Sequence, residues 1–294
     1  MKKRPFLMAL LTLGAIFVFF LLLIVVVGKM SGRSSRFVYG DKVGYITIAG
    51  AITTSEKIIE QIDNFKEDSS VKAIVLRVNS PGGGVSPSQE IYDEVKAAAA
   101  LKPVVVSMGS VAASGGYYIA VPAQRILANP GTITGSIGVI MQFTNVEELL
   151  GKVGLKSQVV KSGLHKDIGS PMRPMSSADR EILQSLIDDV YAQFVQAVAE
   201  SRQMDPDKVR QLADGRIFTG RQALEAGLVD ELGGYQDAIR VAAELAGIEG
   251  KPKVVYPVAD KQEFLQHFIQ ETAQLVKQSV QNGDAGLQFH WSGK

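Results

Sequence analysis

The chain has 294 residues, with 31 Lys and Arg against 30 Asp and Glu, a formal net charge of +1 and 46% hydrophobic residues. Basic residues cluster only at the flanks of the first apolar run, so no nucleic-acid partner is expected. Cysteine is absent and the three histidines form no cluster with carboxylates, so neither a metal nor a cofactor is expected, and an oxidising compartment is compatible but not established.

Lys2, Lys3 and Arg4 precede an uncharged apolar run from Phe6 to Gly28 that is long enough to cross a bilayer as a helix. It is too long for a typical cleaved leader, and no small-residue cleavage site follows it. The expectation is a cytoplasmic tail over 1–5, a retained transmembrane anchor over 6–28 and a linker over 29–40. Basic residues on both sides of the run weaken the orientation argument from the first three.

From Val43 the apolar pattern alternates between strand and helix lengths. Strands are predicted over 43–48, 72–78 and 104–108, with helices over 55–65 and 87–100 between them. Short strands follow near 125–128, 137–142 and 156–161. Helices are predicted over 178–202, 206–213, 221–226 and 235–246, Thr219 with Gln222 capping the third. The pattern is α/β, with a domain over 41–250 and a C-terminal extension over 251–294. That extension holds a strand-like Val254–Tyr256, an amphipathic helix near 261–280 and an end expected to be disordered.

The segment Gly109 to Tyr118, GSVAASGGYY, places Ser114 between a strand and a buried apolar run at 117–121, with alanines before it and glycines after. Small neighbours let a substrate carbonyl approach a hydroxyl, and a helix start offers free N–H groups to an oxyanion. An N-cap serine occupies the same position. Upstream, the strand at 72–78 ends in Asn79-Ser80-Pro81-Gly82-Gly83-Gly84. Its glycine amides can face an oxyanion or pair with a peptide. The same loop can serve only to start a helix, with Ser86, Pro87 and Gln89 as cap, first-turn proline and capping-box partner. For a base, His267 and His290 lie on a predicted helix and in a polar tail. His165 stands in Lys161-Ser162-Gly163-Leu164-His165-Lys166-Asp167, and a lysine serves as base where burial or nearby cations favour its neutral form. The GxSxG elbow of α/β-hydrolases is absent, since Ala112 stands two before Ser114. Ser69-Ser70-Val71-Lys72 is an isolated SxxK string that opens a strand.

Together, NSPGGG at 79–84, GSVAASGGYY, Thr134-Gly135-Ser136-Ile137-Gly138-Val139 and KSGLHKD at 161–167 resemble the signal peptide peptidase A family over about residues 41–248. The resemblance implies a membrane-bound serine endopeptidase on the repeated β-β-α superhelical fold of Clp protease and crotonase. It assigns the nucleophile to Ser114, the general base to Lys166, a lysine-orienting hydroxyl to Ser136, and the oxyanion-hole amides to Gly83 and Gly115. It further implies peptide substrates such as remnant signal peptides in the bilayer, a homo-oligomeric ring, and a bacterial inner-membrane location with the catalytic domain on the extracytoplasmic side. Three other readings remain open on sequence: a Ser/Lys protease cutting one specific membrane protein, a crotonase-like acyl-CoA enzyme, and a non-catalytic membrane scaffold.

Overall fold

The computed structural model describes residues 41–257, together with Val18 and Phe19. The predicted anchor, apart from those two residues, and the predicted amphipathic helix near 261–280 lie outside the described residues. Among the described residues no helix is long and apolar enough to cross a membrane. The chain divides into Met1–Gly40 and Asp41–Lys294, and the site lies in the second unit.

Among the described residues eight strands form one sheet: β1 (Lys42–Ala49), β2 (Val71–Ser80), β3 (Val104–Ala113), β4 (Arg125–Ala128), β5 (Ile133–Gly135), β6 (Ile217–Thr219), β7 (Glu231–Leu232) and β8 (Lys253–Val255). The main path runs β6-β5-β3-β2-β1-β8, with β4 between β3 and β7. Among the described residues only β5 and β6 pair antiparallel. Alternate residues of β2 and β3 enter opposite layers, as the period of two requires. Ile74, Leu76, Val78, Val104, Val106 and Met108 belong to the larger core, while Ala73, Val75 and Val105 pack against α8 (Tyr235–Leu245). With both faces covered, these strands read as continuous apolar runs.

The larger layer holds α1 (Glu56–Glu67), α2 (Val85–Ala99), the one-turn α3 (Gly115–Tyr118), α5 (Ser177–Arg202), α6 (Pro206–Leu212) and α7 (Gly220–Glu225); α4 (Glu147–Lys152) has no buried residue. The predicted box of Thr219 with Gln222 caps α7. The predicted Ser86 cap of α2 does not form. That helix starts at Val85, after an extended Gly84, because the glycine loop itself feeds the first turn. Strand β3 decides the geometry of the site. Val105–Ser107 pair with β4, and Val111–Ala113 pair with β5, so the strand runs past one partner to meet a second.

The strands predicted over 137–142 and 156–161 are not formed. Ile140 is 87% exposed and Val160 fully exposed, and no strand lies alongside either run among the described residues. A strand exists only through its ladder partner, so apolar patterning alone does not produce one.

Candidate active site

Ser114 sits at the end of β3 with φ 53° and ψ −124°, a conformation that residues with a Cβ rarely adopt. The surroundings hold it there. Its N–H donates to Gly135 O at 2.8 Å, and its carbonyl accepts from the N–H groups of Tyr117 and Tyr118, each at 2.9 Å. Tyr117 is fully buried and donates its hydroxyl to Leu228 O at 2.9 Å; burial pushes that phenol well above its ordinary range. The Ser114 side chain makes no capping bond. It lines a cleft of about 660 Å³, so the N-cap reading does not describe this serine.

The glycine loop crosses in front of it. Gly82 N–H donates to Ser80 Oγ at 3.1 Å and Gly84 N–H to Ile52 O at 2.8 Å. Ile52 bridges Gly83 in parallel, a pairing that turns Gly83's own N–H and C=O away from Ile52. Of the three glycine amides, only Gly83 therefore has no acceptor among the described residues. Gly115 N–H, at the start of α3, has none either. The two are neighbours, since a Cβ on Gly115 would stand 3.2 Å from Gly83 N and 2.5 Å from Ser88 Oγ. A Cβ on Gly83 would stand 2.1 Å from Ile52 O, so the close approach demands glycine at both positions. Two free amides beside a hydroxyl form the donor set that an oxyanion needs.

Ser136 reaches the same cleft from β5. The pairing of Ala113 with Gly135 sets the following residues side by side. Ser136 has φ 49° and is fixed by its N–H donating to Arg216 O at 2.8 Å. The structure thus brings together Ser114, Ser136, Gly83 and Gly115 of the residues picked from sequence. It does not bring Lys166, which is exposed on a turn and does not line the cleft. His165 is held elsewhere, with Nδ1 at 3.0 Å from Asp179 Oδ1.

One wall of the cleft has no counterpart among the sequence picks. Ile187, Val190, Tyr191 and Phe194 of α5 line it together with Tyr118, and the rings of Tyr118 and Phe194 meet edge to face at 4.8 Å. Their spacing along α5 is the i, i+3, i+4, i+7 of one helix face, a signal that reads equally well as ordinary core. The wall suits an apolar side chain. Asp214 also lines the cleft, and hydrogen bonds from Arg216 hold its carboxyl at about 2. Among the described residues no group of His and carboxylates is arranged to hold a metal ion.

The profile of Peptidase family S49 matches residues 96–249. That of Clp protease matches residues 41–132, the stretch from β1 to β4 that makes the parallel core, in keeping with a Clp protease/crotonase-like fold. A Synechocystis protein provisionally named a protease is 48% identical over 209 residues, covering 71% of this chain and 76% of that one. An Enterococcus faecium protein provisionally named signal peptide peptidase SppA is 42% identical over 185 residues, covering 63% and 54%. The chloroplastic serine protease SPPA of Arabidopsis thaliana is 36% identical over 212 residues, covering 72% and 31%. A solved ClpP1 mutant from Listeria monocytogenes superposes with a TM-score of 0.46 and 18% identity, covering 66% of this chain and 93% of that one. With a serine at a strained turn beside two amides that have no acceptor among the described residues, and with the family profile and the sequence relatives, the chain belongs to peptidase family S49, the signal peptide peptidase A family of serine proteases.

Proposed function

We propose that the protein is a membrane-anchored endopeptidase that cleaves remnant signal peptides or similar small membrane-associated peptides, with Ser114 as nucleophile and Lys166 as general base. The observation that carries the reading is the Ser114 hydroxyl in a cleft beside the unpaired amides of Gly83 and Gly115. Neutral Lys166 takes the Ser114 proton as Oγ attacks the scissile carbonyl, and the two amides hold the resulting oxyanion. Collapse breaks the C–N bond while the Lys166 ammonium protonates the leaving amine. The lysine then removes a proton from the water that attacks the acyl-serine and returns it to Ser114 Oγ as the C–O bond breaks, which releases the acid and restores the neutral amine. Ser136, on the cleft wall, orients the lysine. An extended substrate pairs with the glycine strand at 82–84 through the Gly83 carbonyl, leaving its N–H to the oxyanion, and places apolar side chains against Tyr118, Tyr191 and Phe194.

The lysine comes from a neighbouring copy in a homo-oligomer. What supports this is that Lys166 stands exposed and outside the cleft of its own chain. The segment carrying it also exposes Val159, Val160 and Leu164, an apolar surface that association would cover. Labelling with a fluorophosphonate, with Ser114→Ala as control, tests the nucleophile. Mixing Ser114→Ala and Lys166→Ala chains under conditions that allow subunit exchange tests the partition. Activity absent from each alone returns in the mixture if one chain supplies the serine and another the lysine. If the mixture stays inactive while both variants assemble, the dyad lies within one chain.

A further inference from the structure

The charged side chains flanking Lys166 form a closed set that excludes Lys166 itself. Asp167, the next residue, accepts from Lys161 Nζ at 2.6 Å and from Arg173 Nε and Nη2, each at 2.9 Å. Arg173 continues to α5, where its Nη1 donates to Asp179 Oδ2 at 2.7 Å. His165, on the other side of Lys166, occupies Asp179 Oδ1. Asp179 is 2% exposed and belongs to the capping box of α5 with Ser176. One guanidinium thus bridges two carboxylates, and the residues before and after Lys166 are both tied to that bridge. Lys166 N–H closes the turn on Gly163 O at 3.2 Å, while its ammonium meets no carboxylate among the described residues.

We propose that Arg173, through Asp167 and Asp179, is a positioning residue for the general base: it fixes the turn that presents Lys166 and keeps the carboxylates of Asp167 and Asp179 engaged with other partners. The inference rests on Lys166 being the base. A base must release its proton, and a carboxylate paired with an ammonium holds the proton on. Hydrogen bonds from Arg173 and Lys161 hold the Asp167 carboxyl well below the usual carboxylate range. Those from His165 and Arg173 do the same for Asp179. Both are therefore anionic at any working pH, and either one, if released, is a partner for Lys166. The charged and titratable groups gathered here are Lys161, His165, Asp167 and Arg173 from the segment and Asp179 from α5. No other described element contributes one to the set.

The test is Arg173→Ala in the full-length oligomer, assayed on a short soluble peptide across pH. The expected result is a fall in kcat of about tenfold or more, as for a catalytic group displaced by a fraction of an ångström, with KM little changed. The rising limb of the kcat–pH profile should move to higher pH, and guanidinium ion at low concentration should restore part of the rate. Arg173→Lys keeps one charge without the two-pronged geometry and should fall between; it serves as the readout if Arg173→Ala does not fold. A folded Arg173→Ala with the parent's kcat and profile overturns the proposal. So does a loss uniform in pH that guanidinium does not relieve, since that marks a merely structural residue. Lys166→Ala runs in parallel. Its inactivity leaves the two results above to decide, whereas its turnover would remove the general-base reading separately and the proposal with it.

Discussion

Ser114 holds a backbone conformation suited to glycine, at a cost of about 1–3 kcal/mol for such outliers. Three backbone hydrogen bonds and the buried Tyr117 impose it. Ser114→Gly should therefore be more stable than Ser114→Ala by about 1 kcal/mol, with both inactive; equal urea midpoints would show that the turn is unstrained. At Gly115 an added methyl meets Ser88 Oγ at 2.5 Å and Gly83 N at 3.2 Å. Gly115→Ala should lower kcat by about 10²-fold by crowding the oxyanion donors. Adding Ser88→Gly removes only the first contact, so stability should recover while kcat does not, as thermal melting and initial rates would show. Lys166→Arg should be as inactive as Lys166→Ala, because a guanidinium keeps its proton. Ser114 was visible in sequence because small residues and a strand-to-helix junction are local properties. The resemblance singled out Gly83, but the residues of the loop alone did not show why only its amide of the three lacks an acceptor among the described residues, because Ser80 and Ile52 decide it by hydrogen bonding to the other two.

Among the elements, α5 both lines the cleft and packs into the core. At its far end Arg202, 9% exposed, donates to Asp230 Oδ1 from Nη2 at 2.7 Å, and Asp230 Oδ2 also accepts Ile126 N–H of β4 at 2.7 Å. Asp230→Ala leaves the guanidinium buried without its partner and should cost about 3 kcal/mol or more. Arg202→Met combined with it should cost less than the two single losses added, by urea unfolding. At the near end, Asp167 and Asp179 have carboxyls lowered from 3.8. A lowered folded-state value means that the contribution is present above about pH 4 and lost as pH falls through the folded value. The 161–179 segment should thus keep its protection from amide exchange at pH 5 and lose it only below about pH 4. Loss of protection between pH 7 and 5 would show that these carboxylates do not hold it. Helix periodicity made α5 and α8 legible. The runs at 137–142 and 156–161 carry strand patterning without a ladder, and patterning cannot supply a partner.

For the molecule as a whole, a chain beginning at Arg36 should be soluble and cleave short peptides, because the described core starts with β1 at Lys42. It should lose far more activity on membrane-resident peptides, for which an anchor raises the local concentration of enzyme. Comparing initial rates on a soluble peptide and the same peptide in vesicles measures this, and equal losses on both would refute the division. The sequence by itself determined the α/β class, the strands and helices from Val43 to the strand at 125–128, the helices between 178 and 246, and Ser114 as the candidate nucleophile. These follow from apolar period, caps and small-residue runs, which are written into neighbouring positions. Only the tertiary structure decided that β3 pairs first with β4 and then with β5, and this is what sets Ser136 beside Ser114. It also decided that α5 lends an apolar wall to the cleft, and that Lys166 stands outside it on a turn held by Arg173. Each of these is a contact between segments distant in the chain, and such contacts arise from the packing of the whole core rather than from any local pattern.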